Sequence, residues 1–239
     1  MRAWLIYKEQ ICNMLTHVAN VLNTEELAHL RKLLDSAAWA DGRITAGTQS
    51  AKAKQNRQLP ESAPQMREAR TLVGTALSRH AVFFSAALPR TIYPQLFNRY
   101  SSGEHFGSHV DNAVRLMPDG SRYVRTDLSA TLFLAEPDSY DGGELIVQDT
   151  YGEHSVKLPA GDMVLYPSSS LHRVTSVTRG ERQACFFWIQ SMVRDDAKRE
   201  LLFNMDSAIA TLRQQQGDTE PLVALTGTYH NLLRMWSDL

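Results

Sequence analysis

Two histidines and one aspartate are the residues of this sequence whose types and spacing best suit chemistry. His109 and Asp111 lie in the segment GEHFGSHVDNAV, and His172 follows in SSSLHRVTSV. Alternate residues of a β-strand point to the same face, so His109 and Asp111 can both face one point. Two imidazoles and one carboxylate on one face of a metal leave its other positions open, as in non-haem Fe(II) oxygenases. The three residues therefore predict an open, catalytic iron site.

Other arrangements of these ligand types agree less well with the sequence. A structural zinc site is closed, mostly by Cys and His, but the sequence has two cysteines and no CxxC motif. A His-x-Asp pair alone also fits a surface histidine followed by a turn aspartate. His154 is the rival for the distal ligand, but it lies beside Gly152 in a predicted turn, where a ligand is poorly fixed. His105 lies in a glycine-flanked turn and is expected to be exposed or to support a ligand, so His172 is preferred.

Arg182 begins the segment RQACFFWIQS, which is rich in aromatic and β-branched residues and is typical of a buried strand. If Arg182 faces inwards, the residues that share its face are Ala184, Phe186, Trp188 and Gln190. A buried arginine needs an anionic partner, and its guanidinium pairs with a carboxylate through two parallel hydrogen bonds. The partner is either an acidic cosubstrate or an internal Asp or Glu side chain.

The run from Asn98 to Val193 resembles the iron- and 2-oxoglutarate-dependent dioxygenases of the prolyl/lysyl-hydroxylase type, and more closely the bacterial PKHD-type hydroxylases. The segments that carry the resemblance are FNRYSSGEHFGSHVDNA, RTDLSATLFLAEPDSYDGGELIVQDTYGEHSVKLPAGDMVLYPSSSLHRVTSVTRGER and FFWIQSMVRDDAKRELLF. The likeness covers nearly the whole chain after Met14. It does not include MRAWLIYKEQICN, so translation starts at either Met1 or Met14.

The resemblance assigns roles to individual residues. The metal ligands of the family fall on His109, Asp111 and His172, and its 2-oxoglutarate-binding arginine falls on Arg182. In the resembled enzymes a tyrosine near the position of Tyr100 can hydrogen-bond 2-oxoglutarate. The alternative is a tyrosine whose ring lies in the core and whose hydroxyl reaches the rim. The implied cofactors are Fe(2+) and 2-oxoglutarate, with L-ascorbate to keep the iron reduced.

The resemblance implies a hydroxylase. Oxidative decarboxylation of 2-oxoglutarate to succinate and CO2 would be coupled, with O2, to hydroxylation of an unidentified substrate, either an amino-acid side chain or a small metabolite. One alternative is an oxidative demethylase on the same scaffold, which would need a basic, aromatic-lined groove for nucleic acid. The other is a cupin-like metal-dependent isomerase or binding protein, which would not need Arg182. The net charge of −1 argues against binding to nucleic acid.

The predicted fold class is α+β, with a double-stranded β-helix (jelly roll) flanked by N-terminal and C-terminal helices. Asn23 and Glu26 predict a capping box that opens a helix ending near Trp39, and Pro64 starts a second helix. From Ala81 the sequence predicts short strands, first AVFFSAAL and then RTIYPQLFNRY, and further strands separated by Gly and Pro turns follow. After Arg194 two apolar stripes at helical spacing predict two helices. The first stripe consists of Leu201, Leu202, Met205, Ile209 and Leu212, and the second of Leu222, Leu225, Tyr229, Leu232, Leu233 and Trp236.

The predicted organisation has four parts. Residues 1–13 form an N-terminal extension, 14–80 a helical support region, 81–193 the dioxygenase domain and 194–239 a C-terminal helical region. Residues 41–60 are polar and rich in turn formers, which indicates a solvated loop or a lid that shelters the site. The segment AVRLMPDGSRYVRTD is predicted as a loop whose arginines, Arg115, Arg122 and Arg125, are either solvated or steer an acidic substrate.

Length and composition agree with one globular domain of 239 residues. Two cysteines cannot form a disulfide framework, which fits a reducing compartment. No apolar run reaches the length of a membrane span. The expected location is therefore cytoplasmic, without membrane association. A homodimer through the C-terminal helices is an open alternative to a monomer.

Overall fold

The computed structural model describes residues 10–12, 15–45 and 53–239. The strands in these residues are β1 (Gln10–Cys12), β2 (Leu15–Val18), β3 (Ala40–Asp41), β4 (Lys54–Gln55), β5 (Arg57–Gln58), β6 (Pro89–Ile92), β7 (Leu96–Tyr100), β8 (His105–His109), β9 (Val114–Leu116), β10 (Tyr123–Arg125), β11 (Leu128–Phe133), β12 (Leu145–Asp149), β13 (Gly152–Val156), β14 (Met163–Pro167), β15 (Leu171–Val174) and β16 (Arg182–Ser191). The helices are α1 (Thr24–Asp35), α2 (Met66–Ser78), α3 (Ala81–Ala87), α4 (Asp196–Gln216) and α5 (Glu220–Trp236). The prediction that concerns Met14 lies outside the described residues.

Two antiparallel sheets form the jelly-roll core. The larger follows the order β1-β2-β14-β11-β16-β7-β5-β3, with β6 also paired to β16, and the smaller follows β13-β12-β15-β8-β4. Side chains from both sheets meet in one cluster that includes Phe133, Val147 and Tyr166. Strand alternation sends the intervening residues, such as Leu132 and Phe187, to the opposite face of the larger sheet. The predicted α+β jelly roll is therefore confirmed.

Helices α1 and α2 cover the outer face of the larger sheet. The predicted capping box opens α1, because the Asn23 side chain accepts from the Glu26 N–H and the Glu26 carboxylate accepts from the Asn23 N–H. Leu30 of α1 and Val73 of α2 are fully buried against the sheet. The helices form where local signals agree with this buried apolar face.

The prediction of a strand at AVFFSAAL is wrong, because these residues form α3. His80 caps the helix by accepting from the Phe83 N–H, and Leu88 ends it in the left-handed conformation, with φ of 41°. Phe83 and Ala87, one turn apart, face the core. A short apolar run fits a strand or a buried helix equally well, so periodicity alone could not separate them.

Two segments predicted as loops contain strands. Residues 114–125 form the hairpin of β9 and β10. Between residues 54 and 58 the chain pairs first with β8 in the smaller sheet and then with β7 in the larger one, which buries Lys54, Asn56 and Gln58. The prediction of a solvated loop is therefore wrong for residues 54–58. Residues 46–52 of the predicted lid lie outside the described part of the chain.

The C-terminal helices α4 and α5 pack on each other and on the end of the core. Leu202, Ile209, Leu222 and Tyr229 are buried in their shared cluster, as the predicted stripes require. Leu201 and Leu225, which were assigned to the same stripes, are exposed instead. Among the described helices, none combines the length and the apolar character that crossing a membrane requires.

Candidate active site

The pairing of β8 with β15 brings the two histidines of the predicted triad together. His109 and His172 are opposite partners in this antiparallel pair, and their ring centroids lie 4.2 Å apart. Asp111 follows the end of β8, and its Oδ2 lies 3.7 Å from His172 Nε2. One possible ligand atom from each residue lies within 4.8 Å of the other two. Among the described residues, this is the one cluster of His, Cys, Asp and Glu side chains that could hold a metal ion.

Hydrogen bonds to the backbone fix the orientation of both imidazoles. His109 Nδ1 lies 2.8 Å from the Gly107 carbonyl oxygen, and His172 Nδ1 lies 3.0 Å from that of Ser170. A carbonyl oxygen only accepts, so each Nδ1 carries the proton and each Nε2 keeps a free lone pair. A partner of this kind on the second ring nitrogen is typical of metal-bound histidine.

The electrostatics around His109 favour its neutral form. Burial, followed by the nearby His172, lowers the pKa of His109 from 6.5 to about 4. The ring also stacks on Phe106, with centroids 3.6 Å apart. A ligating histidine must be neutral, so this environment prepares His109 to bind a metal at neutral pH.

A chain of hydroxyl groups holds the Asp111 carboxylate. Ser129 Oγ donates to Asp111 Oδ2 over 2.6 Å, and the hydroxyl groups of Ser129 and Ser168 lie 2.8 Å apart. Because the Ser129 proton points to Asp111, Ser168 is the donor in the second bond. Sequence reasoning missed both serines. The available signal was the small polar residue at alternate positions, Ser129 and Thr131, in the otherwise apolar strand LSATLF.

Arg182 lies deep in the same cleft, with 2% of its surface exposed. Its guanidinium carbon lies 5.4 Å from the ring centroid of Tyr100, its partner across β7 and β16, and 5.3 Å from that of Phe133. Its Nε has no hydrogen-bond partner among the residues that the structure describes. Within the described residues, no carboxylate oxygen approaches the guanidinium to 4.0 Å. The alternative of an internal salt bridge therefore has no support in this part of the chain.

The cleft that contains these residues comprises about 780 Å³ of empty space, part of which is open solvent. Its aromatic wall is formed by Tyr100, Phe106, Tyr166, Phe186 and Trp188. The residues predicted to share the face of Arg182 include Phe186 and Trp188, and both line the cleft. The sequence did not indicate Lys54 as a cleft residue, because its polar neighbours are typical of a solvated loop.

The two rival histidines take other positions. His154 lies on β13, not in a turn, and its Nε2 is 2.8 Å from Asp149 Oδ2. His105 begins β8, where its Nδ1 lies 3.4 Å from the Gly103 carbonyl oxygen. Neither lines the cleft around the triad. The donor set that remains, two imidazoles and one carboxylate, suits Fe(II) with open coordination positions.

Comparison with protein-family models gives two matches. The 2OG-Fe(II) oxygenase superfamily matches residues 96–190, which include all three triad residues and Arg182. The PKHD-type hydroxylase C-terminal domain matches residues 196–238, the region of α4 and α5.

Curated relatives and solved structures extend these matches. A PKHD-type hydroxylase of Burkholderia lata is 61% identical over 226 residues, which cover 94% of this chain and 100% of the relative. A second PKHD-type hydroxylase, from Xanthomonas campestris pv. campestris, is 61% identical over 228 residues, which cover 95% of this chain and 100% of the relative.

Among solved structures, a 2OG-Fe(II) oxygenase family oxidoreductase from Burkholderia pseudomallei has a TM-score of 0.54 at 17% identity, covering 79% of this chain and 89% of its own. A Trichoplax adhaerens prolyl hydroxylase has a TM-score of 0.53 at 11% identity, covering 84% and 91%. At these identities the structures support the fold alone. The sequence identity to the curated relatives, over nearly their full length, shows that the chain belongs to the PKHD-type hydroxylases.

Proposed function

We propose that this 2-oxoglutarate-dependent dioxygenase holds Fe(II) with His109, Asp111 and His172 and binds 2-oxoglutarate with Arg182. The observation that carries the proposal is the convergence of three ligand atoms within 4.8 Å, in a cleft that also contains a buried arginine. The free Nε2 atoms and the serine-bound carboxylate fit the donor set of non-haem iron enzymes. Alternatives without an oxygenase reaction leave Arg182 without a role.

The reaction converts one substrate C–H bond to C–OH. Substrate, 2-oxoglutarate and O2 give hydroxylated substrate, succinate and CO2, so one oxygen atom enters each organic product. Bound Fe(II) supplies the centre at which O2 and 2-oxoglutarate react.

Arg182 would orient the cosubstrate by pairing with its distal carboxylate, and burial strengthens this charge-assisted contact. Tyr100 is the second proposed cosubstrate contact. It is buried beside Arg182 and lines the cleft, and burial raises the pKa of its hydroxyl to about 12, so the group stays protonated and can donate. The surrounding aromatic rings exclude water from the reacting groups.

Three further parts of the proposal concern the reductant, the substrate and the oligomeric state. L-Ascorbate is the proposed reductant, and its addition should slow the loss of activity during turnover. The proposed substrate is an amino-acid side chain or a small metabolite.

A homodimer is proposed through exposed apolar side chains of α4 and α5, such as Leu201 and Val223. Light scattering on the purified protein would test this oligomeric state.

The proposed division of the chain keeps residues 1–13 as an N-terminal extension, 14–80 as the helical support, 81–193 as the dioxygenase domain and 194–239 as the C-terminal helical region. Strands β2, β4 and β5 of the support region also join the sheets of the core. The end of β16 at Ser191 and the start of α4 at Asp196 support the boundary between the last two parts. Limited proteolysis with mass spectrometry would test it, because cleavage is expected at Arg194 and Asp195, the exposed residues of the connection between these two elements.

Anaerobic titration of the Fe(II)-loaded protein with 2-oxoglutarate tests the proposed site. Chelation of an open iron by 2-oxoglutarate is expected to give a weak charge-transfer band in the visible range. R182A should require much more 2-oxoglutarate to develop the band, whereas R179M, which changes an exposed arginine near the same strand, should not. Bound iron without any band would contradict the cosubstrate assignment and would favour a cupin-like protein.

A further inference from the structure

Arg115 presents a cation to the cleft on the side away from Arg182. Strand alternation in β9 leaves Val114 and Leu116 exposed and turns Arg115 towards the cleft. The guanidinium carbon lies 3.8 Å from the ring centroid of Trp188 and 5.2 Å from that of Tyr93. This stacking fixes the plane of the guanidinium while its N–H groups at the edge stay available to an anion.

Two buried donors at Arg115 lack a partner in the described part of the chain. They are Arg115 Nε and Trp188 Nε1, and no described residue accepts a hydrogen bond from either. In the described part of the chain, no carboxylate oxygen lies within 4.0 Å of the Arg115 guanidinium. The other arginines of the hairpin differ, since Arg125 pairs with Asp127 over 2.6 Å and Arg122 is exposed at the turn. Buried donors are normally satisfied, so these two indicate a ligand that accepts hydrogen bonds.

Lys54 places a second cation on the same aromatic wall. Its ammonium lies 5.4 Å from the Phe106 ring and 5.8 Å from the Phe186 ring, and Phe186 in turn contacts Trp188 edge to face at 5.6 Å. The side chain is 4% exposed and donates to Gln58 Oε1 over 3.1 Å. After burial, the charge of Arg115 is the next largest cause that lowers the pKa of Lys54 to about 8. Two like charges that repel across one cleft are both stabilised by an anion between them.

Arg115 lies apart from Arg182, the residue proposed to bind the cosubstrate. Trp188, which supports Arg115, lies six residues along β16 from Arg182. At about 3.3 Å per residue, the two backbone positions are about 20 Å apart. 2-Oxoglutarate has two carboxylates, and with one on Arg182 and the other on the iron none remains for Arg115. An anion at Arg115 therefore belongs to a different molecule.

We propose that Arg115 and Lys54 form an anion subsite that binds a carboxylate of the substrate to be hydroxylated, with Trp188 and Phe186 packing against its carbon skeleton. This inference rests on the proposed function, because it takes the triad as the place of reaction. Phe106, which contacts Lys54 on one side and His109 on the other, connects the subsite to that place. The substrate class is then a carboxylate-bearing small molecule or side chain rather than a neutral or cationic one.

The test uses the anaerobic Fe(II) protein saturated with 2-oxoglutarate, so that the iron and Arg182 are already occupied. Phenylacetate and its uncharged analogue phenylacetamide are titrated in parallel by isothermal calorimetry. We expect phenylacetate to bind at least about tenfold more tightly, because charge-assisted hydrogen bonds to the two cations are lost with the amide. In R115M the preference should fall to about a factor of two or less. R122M removes an arginine from the same hairpin but not from the cleft, and should keep the preference.

The charge-transfer band recorded on each sample separates the possible failures. A normal band without a preference for phenylacetate, including no binding of either compound, overturns the subsite and leaves the proposed function intact. A missing band contradicts the proposed iron and cosubstrate residues. A preference for phenylacetate in a sample that lacks the band counts against the subsite, because Arg182 is then free to bind the anion. If R115M misfolds and loses the band, R115K is used instead, because it keeps the charge. R115K should retain most of the preference for phenylacetate, and loss of that preference in R115K would also contradict the proposal.

Discussion

His109 and His172 lie opposite each other in the antiparallel pair of β8 and β15, with ring centroids 4.2 Å apart. Side chains of opposite residues in such a pair are held close by the strand register itself. The distance between two of the three proposed iron ligands is therefore set by backbone hydrogen bonds in a sheet and does not depend on a mobile loop. Sites on rigid elements keep their geometry better than sites on loops, which suits a metal that must be bound in one arrangement.

Removal of the third proposed ligand should abolish metal binding. We expect D111A to lower turnover of 2-oxoglutarate by more than about 100-fold, since even outer contacts of metal ligands are worth 10–100-fold. Iron bound per chain, measured after anaerobic loading and desalting, should fall in parallel. D119N, which changes an exposed aspartate in the nearby hairpin turn, is the control. Full iron content in D111A would rule out the ligand assignment.

Ser129 should act as a positioning residue for Asp111. Because its hydroxyl donates to Asp111 Oδ2 over 2.6 Å, S129A should weaken Fe(II) binding by about 10–100-fold. S168A removes only the outer hydroxyl and should have a smaller effect. A shift of the charge-transfer band in S129A, with partial recovery in S129T, would distinguish positioning from a general loss of stability. Equal losses of Fe(II) affinity in S129A and S168A would contradict the role of Ser129 as the residue that directly positions Asp111.

Arg182 should control affinity for 2-oxoglutarate and not for iron. Loss of two charge-assisted hydrogen bonds in R182A should raise the Kd for 2-oxoglutarate by about 100-fold or more. R182K keeps the charge but loses the paired donors, so an intermediate Kd is expected. Both variants should bind iron normally. An unchanged Kd in R182A would mean that Arg182 has a structural role.

Lys54 should make the stability of the protein depend on pH in the alkaline range. Burial lowers its pKa from 10.5 to about 8, so between these values the unfolded chain binds a proton that the folded protein has released. The contribution of Lys54 to the free energy of unfolding therefore rises with pH from about 8 to 10.5, and is lost as the pH falls back towards 8.

Denaturant titrations of the metal-free protein across this window would measure the effect. The free energy of unfolding of the wild type relative to K54M should increase with pH, by up to about 3 kcal/mol in total. K32M, which removes an exposed lysine of α1, controls for the loss of charge alone. A difference between wild type and K54M that stays constant with pH would show that Lys54 is not buried as a cation.

Elements with strong local signals were predictable. The capping box at Asn23 and the apolar spacing of α2 are encoded within one helix, so their interpretation needs no distant partner. The prediction for AVFFSAAL was wrong because a helix of seven residues is too short for periodicity to distinguish it from a strand. The hairpin of β9 and β10 was missed because turn-forming residues dominate its sequence.

The sequence by itself predicted the candidate site, because residue types, the short spacing of His109 and Asp111, and family resemblance can all be read without coordinates. His172 and Arg182, which lie far from that pair in the chain, were added through the resemblance and the strand pattern of RQACFFWIQS. Only the tertiary structure decided which side chains support them. Ser129 reaches Asp111 because β11 lies beside the cleft, and Lys54 is buried because its strand inserts next to β8. These contacts join residues far apart in sequence, and strand pairing and alternation, not local composition, bring them together.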